Sequence, residues 1–199
     1  MQTAFLIDGF NFYHSIKDLD KKFHWIDYCK FCKHFLKTDD NLNKIMYFTA
    51  LAHWLDGPVK RHKIFIEACL INNIQVVYGK FKKKPSKCPT CKSEIIRHEE
   101  KATDVNIALY AYRMASKGLE KIYLVTGDTD LLPAIRMIKE DFPNTQIGVI
   151  FPYNRLNAEL SQEAHIYHKT TLKTLQNTLL PLKLKKQNGK IITCPNEWQ

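Results

Sequence analysis

Short apolar runs rich in β-branched and aromatic residues alternate along this chain with longer amphipathic stretches. That alternation narrows the fold to βαβ units wound around a mainly parallel sheet flanked by helices. Strands are expected at Thr3–Ile7, Lys44–Leu51, Ile74–Tyr78, Lys121–Thr126, Gln146–Phe151 and Ile166–Lys169. Helices are expected between them at Phe12–Asp18, Ile26–Leu36, Val59–Asn72, Asp104–Ser116, Asp130–Glu140, Leu156–Ala164 and Leu172–Leu179, several closed by Gly, Asn or Pro just past the last turn.

A chain of 199 residues, 45% of them hydrophobic, can bury a core without covalent staples, which excludes disordered, collagen-like and low-complexity classes. No apolar run approaches the roughly 20 residues that span a bilayer, and Ala4–Ile7 is too short for a signal-peptide core. The expectation is a cytoplasmic protein with no membrane partner. Its six cysteines then read as thiols or metal ligands rather than disulfides.

One segment breaks the rhythm. Residues 80–99 are Lys-rich, hold two prolines and carry Cys88 and Cys91 where a loop of about 2–6 residues would suffice, so they read as an inserted basic loop. Between Gly79 and His98, seven basic side chains face one acid, a net +6; Lys183–Lys190 adds four lysines and no acid. Together these segments account for the whole net charge of +10, leaving a charge-balanced body. Residues 1–170 are taken as the main domain and 171–199 as a helix followed by a basic extension, either tethered or a mobile arm.

Asp8 stands where the first strand stops, followed by a glycine that permits a sharp turn. In open α/β sheets ligands bind outside the carboxyl ends of the strands. Asp128, in Thr126-Gly127-Asp128-Thr129-Asp130, stands beyond a second strand on the same rim, and Asp104 opens a helix whose N-terminus faces it. Converging carboxylates repel unless a cation sits between them, so the set points to a hard divalent metal with oxygen ligands. Singly, each acid is equally a turn former or a first-turn residue favoured by the helix dipole. Jointly, turn chemistry does not require acids at two strand ends and a helix start, nor Asn11 and Thr126 beside them.

Leu6-Ile7-Asp8-Gly9-Phe10-Asn11, Glu100-Lys101-Ala102-Thr103-Asp104-Val105 and Thr126-Gly127-Asp128-Thr129-Asp130 resemble the three motifs of NYN-domain proteins, in the PIN-like nuclease superfamily, with the LabA-like bacterial branch most similar. Asn157-Ala158-Glu159-Leu160 looks like the family's closing helix. The resemblance implies a PIN-like doubly wound sheet and a metal-dependent ribonuclease, with single-stranded RNA as partner. By the family pattern Asp8, Asp104 and Asp128 hold one or two Mg²⁺ or Mn²⁺ ions, and Asn11, Thr126 and Asp130 orient ligands, water or phosphate. Such an ion acidifies bound water and polarises the phosphoryl oxygen, so no nucleophilic side chain is needed. Glu99 or Glu100 is either a fourth acid or a solvated charge. A phosphatase of the haloacid-dehalogenase kind would want a second Asp at position 10, where Phe10 stands. A non-catalytic RNA-binding module would not need the full acidic set.

Cys88-Pro89-Thr90-Cys91 resembles half of a zinc knuckle, to be completed by His98, Cys69, Cys194 or the same loop of a second protomer in a homodimer; the alternative is two surface thiols or a redox pair. Cys29 and Cys32 share the spacing but lie inside Ile26–Phe35, where Ile26, Cys29 and Phe35 form an apolar helical stripe and free Cys behaves as a small hydrophobe. Lys80, Lys82, Lys83, Lys84 and Lys87 leave the rim that carries the acids, where they would hold a nucleic-acid backbone. The bland alternative is a solvated loop. His53 and Trp54 either touch substrate or pack their loop, and Phe10, Phe12 and Tyr13 read mostly as core, with one face for base stacking.

Overall fold

The computed structural model describes residues 1–87 and 90–199. Its centre is a six-stranded, all-parallel sheet of β1 (Gln2–Asp8), β2 (Asn41–Thr49), β3 (Gln75–Tyr78), β6 (Lys121–Val125), β7 (Gln146–Phe151) and β8 (Ile166–Lys169), ordered β3-β2-β1-β6-β7-β8. All six expected strands are present. The order runs outward from β1 through β2 and β3, then reverses, so the switch point lies between β1 and β6, which pair with Ile7 beside Val125.

Helices cover both faces because the central strands are apolar on both. Phe5 and Ile7 point into a core with α1 (Gly9–Ile16), α2 (Tyr28–His34) and α3 (Asp56–Ile71), through Phe12, Phe31 and Phe65. Ala4 and Leu6 point the other way, against α4 (Thr103–Ser116), α5 (Leu132–Asp141) and α6 (Ala158–Glu163), through Ile107, Ile135 and Leu160. A parallel strand buried on both faces reads as a continuous apolar run, as β1 and β6 do. Helix α2 is shorter than expected because Asp27 caps it, accepting from the amides of Cys29 and Lys30. Its core cysteine is Cys32, fully buried, whereas Cys29 is only partly covered.

The basic insertion is not a loop. It forms an antiparallel hairpin of β4 (Lys80–Lys87) and β5 (Glu94–Lys101), with Lys82 opposite Glu99 and Lys83 opposite His98. A solvated two-stranded ribbon needs no apolar alternation, so its lysines hid its strand character. Residues beyond α7 (Leu172–Asn177) fold back as a second hairpin, β9 (Lys183–Lys185) with β10 (Ile191–Thr193). Ile192 and Cys194 are buried in the α1–α3 core, and Lys186 and Glu197 pair with Glu67 and Arg61 of α3. Among the described residues no helix is long and apolar enough to cross a membrane.

Candidate metal centre

Asp8, Asp104 and Asp128 each direct a carboxylate oxygen into one cluster whose atoms lie within 4.8 Å of one another. Asp8 ends β1 and caps α1, its Oδ1 accepting the Asn11 amide at 2.9 Å. Its other oxygen accepts the Thr126 hydroxyl at 3.0 Å, a bond reaching from β1 to the end of β6 across the switch point. The same hydroxyl accepts the Asp128 amide at 3.1 Å, and Asn11 Oδ1 accepts the Gly127 amide at 3.0 Å. Asn11 and Thr126 thus hold the two strand-end loops in register, which fixes Asp8 relative to Asp128.

Asp104 arrives from the opposite face, in the first turn of α4. The turn that delivers it is tight. Ala102 adopts φ 77°, in the left-handed region, and the Glu100 carboxylate accepts both the Thr103 amide, at 3.2 Å, and the Thr103 hydroxyl. A Cβ on Gly79 would come within 2.6 Å of that hydroxyl, so the hairpin can leave β3 there only through glycine. Gly9 is equally confined: a Cβ would meet the Phe48 carbonyl at 2.6 Å.

The electrostatics follow from this crowding. Burial pushes the Asp8 carboxyl up to about 6 against the pull of the Asn11 and Thr126 hydrogen bonds, with Asp104 and Asp128 adding to the rise. Asp104 also rises to about 6, by burial and then by the charges of Asp128, Glu100 and Asp130. At neutral pH the cluster therefore carries charges that its surroundings disfavour, and its donors are all carboxylate oxygens. That donor set fits a hard divalent cation.

Asp130 is exposed in a 3-10 turn ahead of α5; its amide donates to Asp128 Oδ1 at 3.0 Å, so that Asp128 caps the turn, and its carboxylate acts on Asp104 through charge alone. Of the two glutamates, Glu100 acts on Asp104, whereas Glu99 is taken up by Lys84 at 2.8 Å and Lys101 at 3.2 Å. Lys80, Lys82, Lys83, Lys84 and Lys87 are all exposed along β4, and Phe81 between them packs edge-on against Phe10, two residues from Asp8. Trp54 packs on Phe81 and stacks on His98 at 3.6 Å, so it anchors the hairpin. Tyr13 is exposed, not core.

Cys91 lies at the exposed hairpin tip; Cys88 lies outside the described residues. Cys69 and Cys194 are buried in the core and His98 is stacked on Trp54. Among the described residues the carboxylate cluster is the one group of three or more metal-ligating side chains. The sequence reading missed Arg155. Its carbonyl closes over Gly127, where a Cβ would stand 2.5 Å away, and its guanidinium donates to the His14 carbonyl at 3.1 Å, so it ties the loop after β7 to the end of α1. The available signal was its place in the loop after β7, on the same rim.

Three comparisons bear on this geometry. A Pseudomonas putida protein named 6-hydroxy-3-succinoylpyridine 3-monooxygenase is 34% identical over 134 residues, covering 64% of this chain and 41% of that protein. The chain thus spans about two fifths of the length of this curated relative. A solved structure of a Vibrio parahaemolyticus protein of unknown function superposes with a TM-score of 0.56 at 18% identity, covering 90% of this chain and 96% of that one, and so shares its fold. The NYN domain model matches residues 2–172, a span that holds all three aspartates and both loops that position them. The chain belongs to the NYN domain family, whose members are generally nucleases.

Proposed function

We propose that this protein is a divalent-metal-dependent ribonuclease acting in the cytoplasm on single-stranded RNA. The observation that carries the reading is the convergence of Asp8, Asp104 and Asp128 within 4.8 Å at the switch point of an NYN-domain sheet. These three would hold Mg²⁺ or Mn²⁺. When bound, such an ion polarises a phosphoryl oxygen and acidifies a water ligand. The chain's own residues supply the positioning. Thr126 and Asn11 lock Asp8 against the Asp128 loop, and Glu100 braces the turn that aims Asp104. Asp130 holds Asp128 through its amide. Lys80, Lys82, Lys83, Lys84 and Lys87 contact backbone phosphates from the hairpin.

The test is incubation of labelled single-stranded RNA with the purified protein, with and without Mn²⁺. Cleavage requires the ion and falls at least about 10²-fold in Asp8→Asn and in Asp128→Asn, the loss expected when metal positioning fails. Cleavage that survives both substitutions sinks the assignment, and retention of RNA without turnover marks a binding module instead.

A zinc ion with Cys88 and Cys91 as two ligands and the same pair of a second protomer as the source of the others is a separable part of the proposal. Its support is the Cys-x2-Cys spacing. Metal analysis of wild type against a Cys88→Ser, Cys91→Ser variant decides it; zinc absent from both retires it.

A further inference from the structure

Beside the metal centre, between α1 and the start of α3, lies a cavity of about 380 Å³ that the proposed chemistry does not use. Gly9 and Phe10, the two residues that follow Asp8, line it. Buried Phe12 and Tyr47 line its interior, and exposed Tyr13 and Trp54 line it as well. Trp198 adds a further wall, its ring 5.5 Å from His24 and 6.5 Å from Phe65. The size and the aromatic-rich lining suit one planar ring, since ligand pockets of a few hundred Å³ are apolar with few polar groups.

Arg61 apart, the polar groups present are neutral hydrogen-bonding ones. His62 Nε2 lies 3.3 Å from the Tyr47 hydroxyl and 3.2 Å from that of Thr49, and burial pushes the imidazole down to about 4, so it is uncharged at neutral pH. His24 Nδ1 is buried with no hydrogen-bond partner among the described residues. Arg61, which also lines the cavity, is held by Glu197 at 2.7 Å. A phosphate or carboxylate would find its cation already paired, whereas a heteroaromatic ring would find stacking faces and imidazole edges.

We propose that this cavity is a base-binding subsite, which takes one nucleobase of the substrate strand while the adjoining phosphate lies at the Asp8 rim. The proposal rests on the ribonuclease reading for its ligand. Trp198 and Glu197 stand beyond residues 2–172, so the C-terminal segment closes a cavity that is otherwise lined from within the NYN domain.

The test is equilibrium binding to the full chain, in EDTA, of a short single-stranded oligoribonucleotide whose sugars are all abasic, against the same backbone carrying one base. The single base tightens wild-type binding about tenfold, within the range of a base–aromatic stack. Ala52→Trp, which fills the cavity from the β2–α3 loop, erases that gain, with its melting temperature reporting that it has folded. Trp198→Ala, which opens the wall instead, reduces the gain and serves if Ala52→Trp does not fold. No gain in wild type, or an equal gain in both variants, overturns the proposal. A free nucleoside monophosphate that binds without any gain on the strand assigns the cavity to a small molecule and also overturns it. Because no cleavage is read, a base gain without Mn²⁺-dependent cleavage refutes the ribonuclease reading alone.

Discussion

Asp8 shows how a single residue can be costly to the fold and yet central to the acidic cluster. It is 3% exposed, and its carboxyl is pushed up to about 6, chiefly by burial. A raised folded-state pKa means the protonated form is favoured in the folded protein. The stability this contributes is fully present below the unfolded value near 3.8 and is lost as pH rises through about 6. A rise of about two units corresponds to roughly 2–3 kcal/mol. In EDTA, Asp8→Asn should therefore melt about 5 °C above wild type at pH 7.5, with the difference shrinking toward pH 4. Mn²⁺ should raise the wild-type melting temperature at pH 7.5 and leave the variant nearly unmoved. A variant that melts below wild type at pH 7.5 would contradict the burial argument. Lys121 is the contrasting case, at the opposite rim. Its ammonium meets Asp40 at 2.6 Å, and both side chains are almost fully buried. Lys121→Met leaves the Asp40 charge buried without its partner, which costs about 3–5 kcal/mol, so melting should fall by about 10 °C while RNA cleavage by the folded fraction persists.

At the scale of elements, the hairpin β4–β5 separates binding from folding. Its lysines are exposed and its anchor is Phe81 against Phe10 and Trp54. Replacing Lys82, Lys83 and Lys84 with Gln should weaken RNA binding and reduce the slope of log K against log salt by about 2, since each phosphate contact on a single strand contributes about 0.7. The melting temperature should move by no more than a few degrees, because the ion pair lost with Lys84 is exposed. An unchanged salt slope would show that the hairpin does not carry the backbone. The same element marks where sequence pattern stops speaking. The six central strands were legible because burial on both faces forces continuous apolar runs, and Asp8 and Asp128 were legible because strand ends on one rim are where an α/β sheet binds ligands. Asp104 followed from the direction of its helix. The hairpin was not legible, because neither of its faces is buried enough to impose alternation. Glu99 and Glu100, adjacent in sequence, were indistinguishable until strand geometry sent one to the lysines and the other to Thr103.

For the whole molecule, the C-terminal segment decides how far the NYN fold has been extended. Trp25 donates its indole N–H to the Pro181 carbonyl at 2.9 Å, and from there the chain lays β9 and β10 over α3, burying Ile192 and Cys194. Composition left this open, because four lysines between positions 183 and 190 suggest a solvated tail while the main anchoring residues, Ile192, Cys194 and Trp198, follow them. The aromatic cavity was hidden for a related reason: Phe12, Tyr47 and Trp198 meet only after three separate elements have packed. Deleting residues 182–199 would uncover apolar surface on Trp25 and Phe65 and remove the burial of Ile192, Cys194 and the partly buried Leu184 and Trp198. At roughly 1–2 kcal/mol for each apolar side chain, the loss is about 5 kcal/mol, or a fall of about 10–20 °C in melting temperature. Lys186–Glu67 and Arg61–Glu197 add little, being partly exposed. The Asp8, Asp104 and Asp128 cluster draws nothing from this segment, so the shortened chain, held well below its melting point, should still bind Mn²⁺, read by the upward shift in melting temperature on adding the ion. If the shortened chain melts within about 2 °C of the full one, the segment is an appendage and the buried contacts of Ile192 and Cys194 carry no weight.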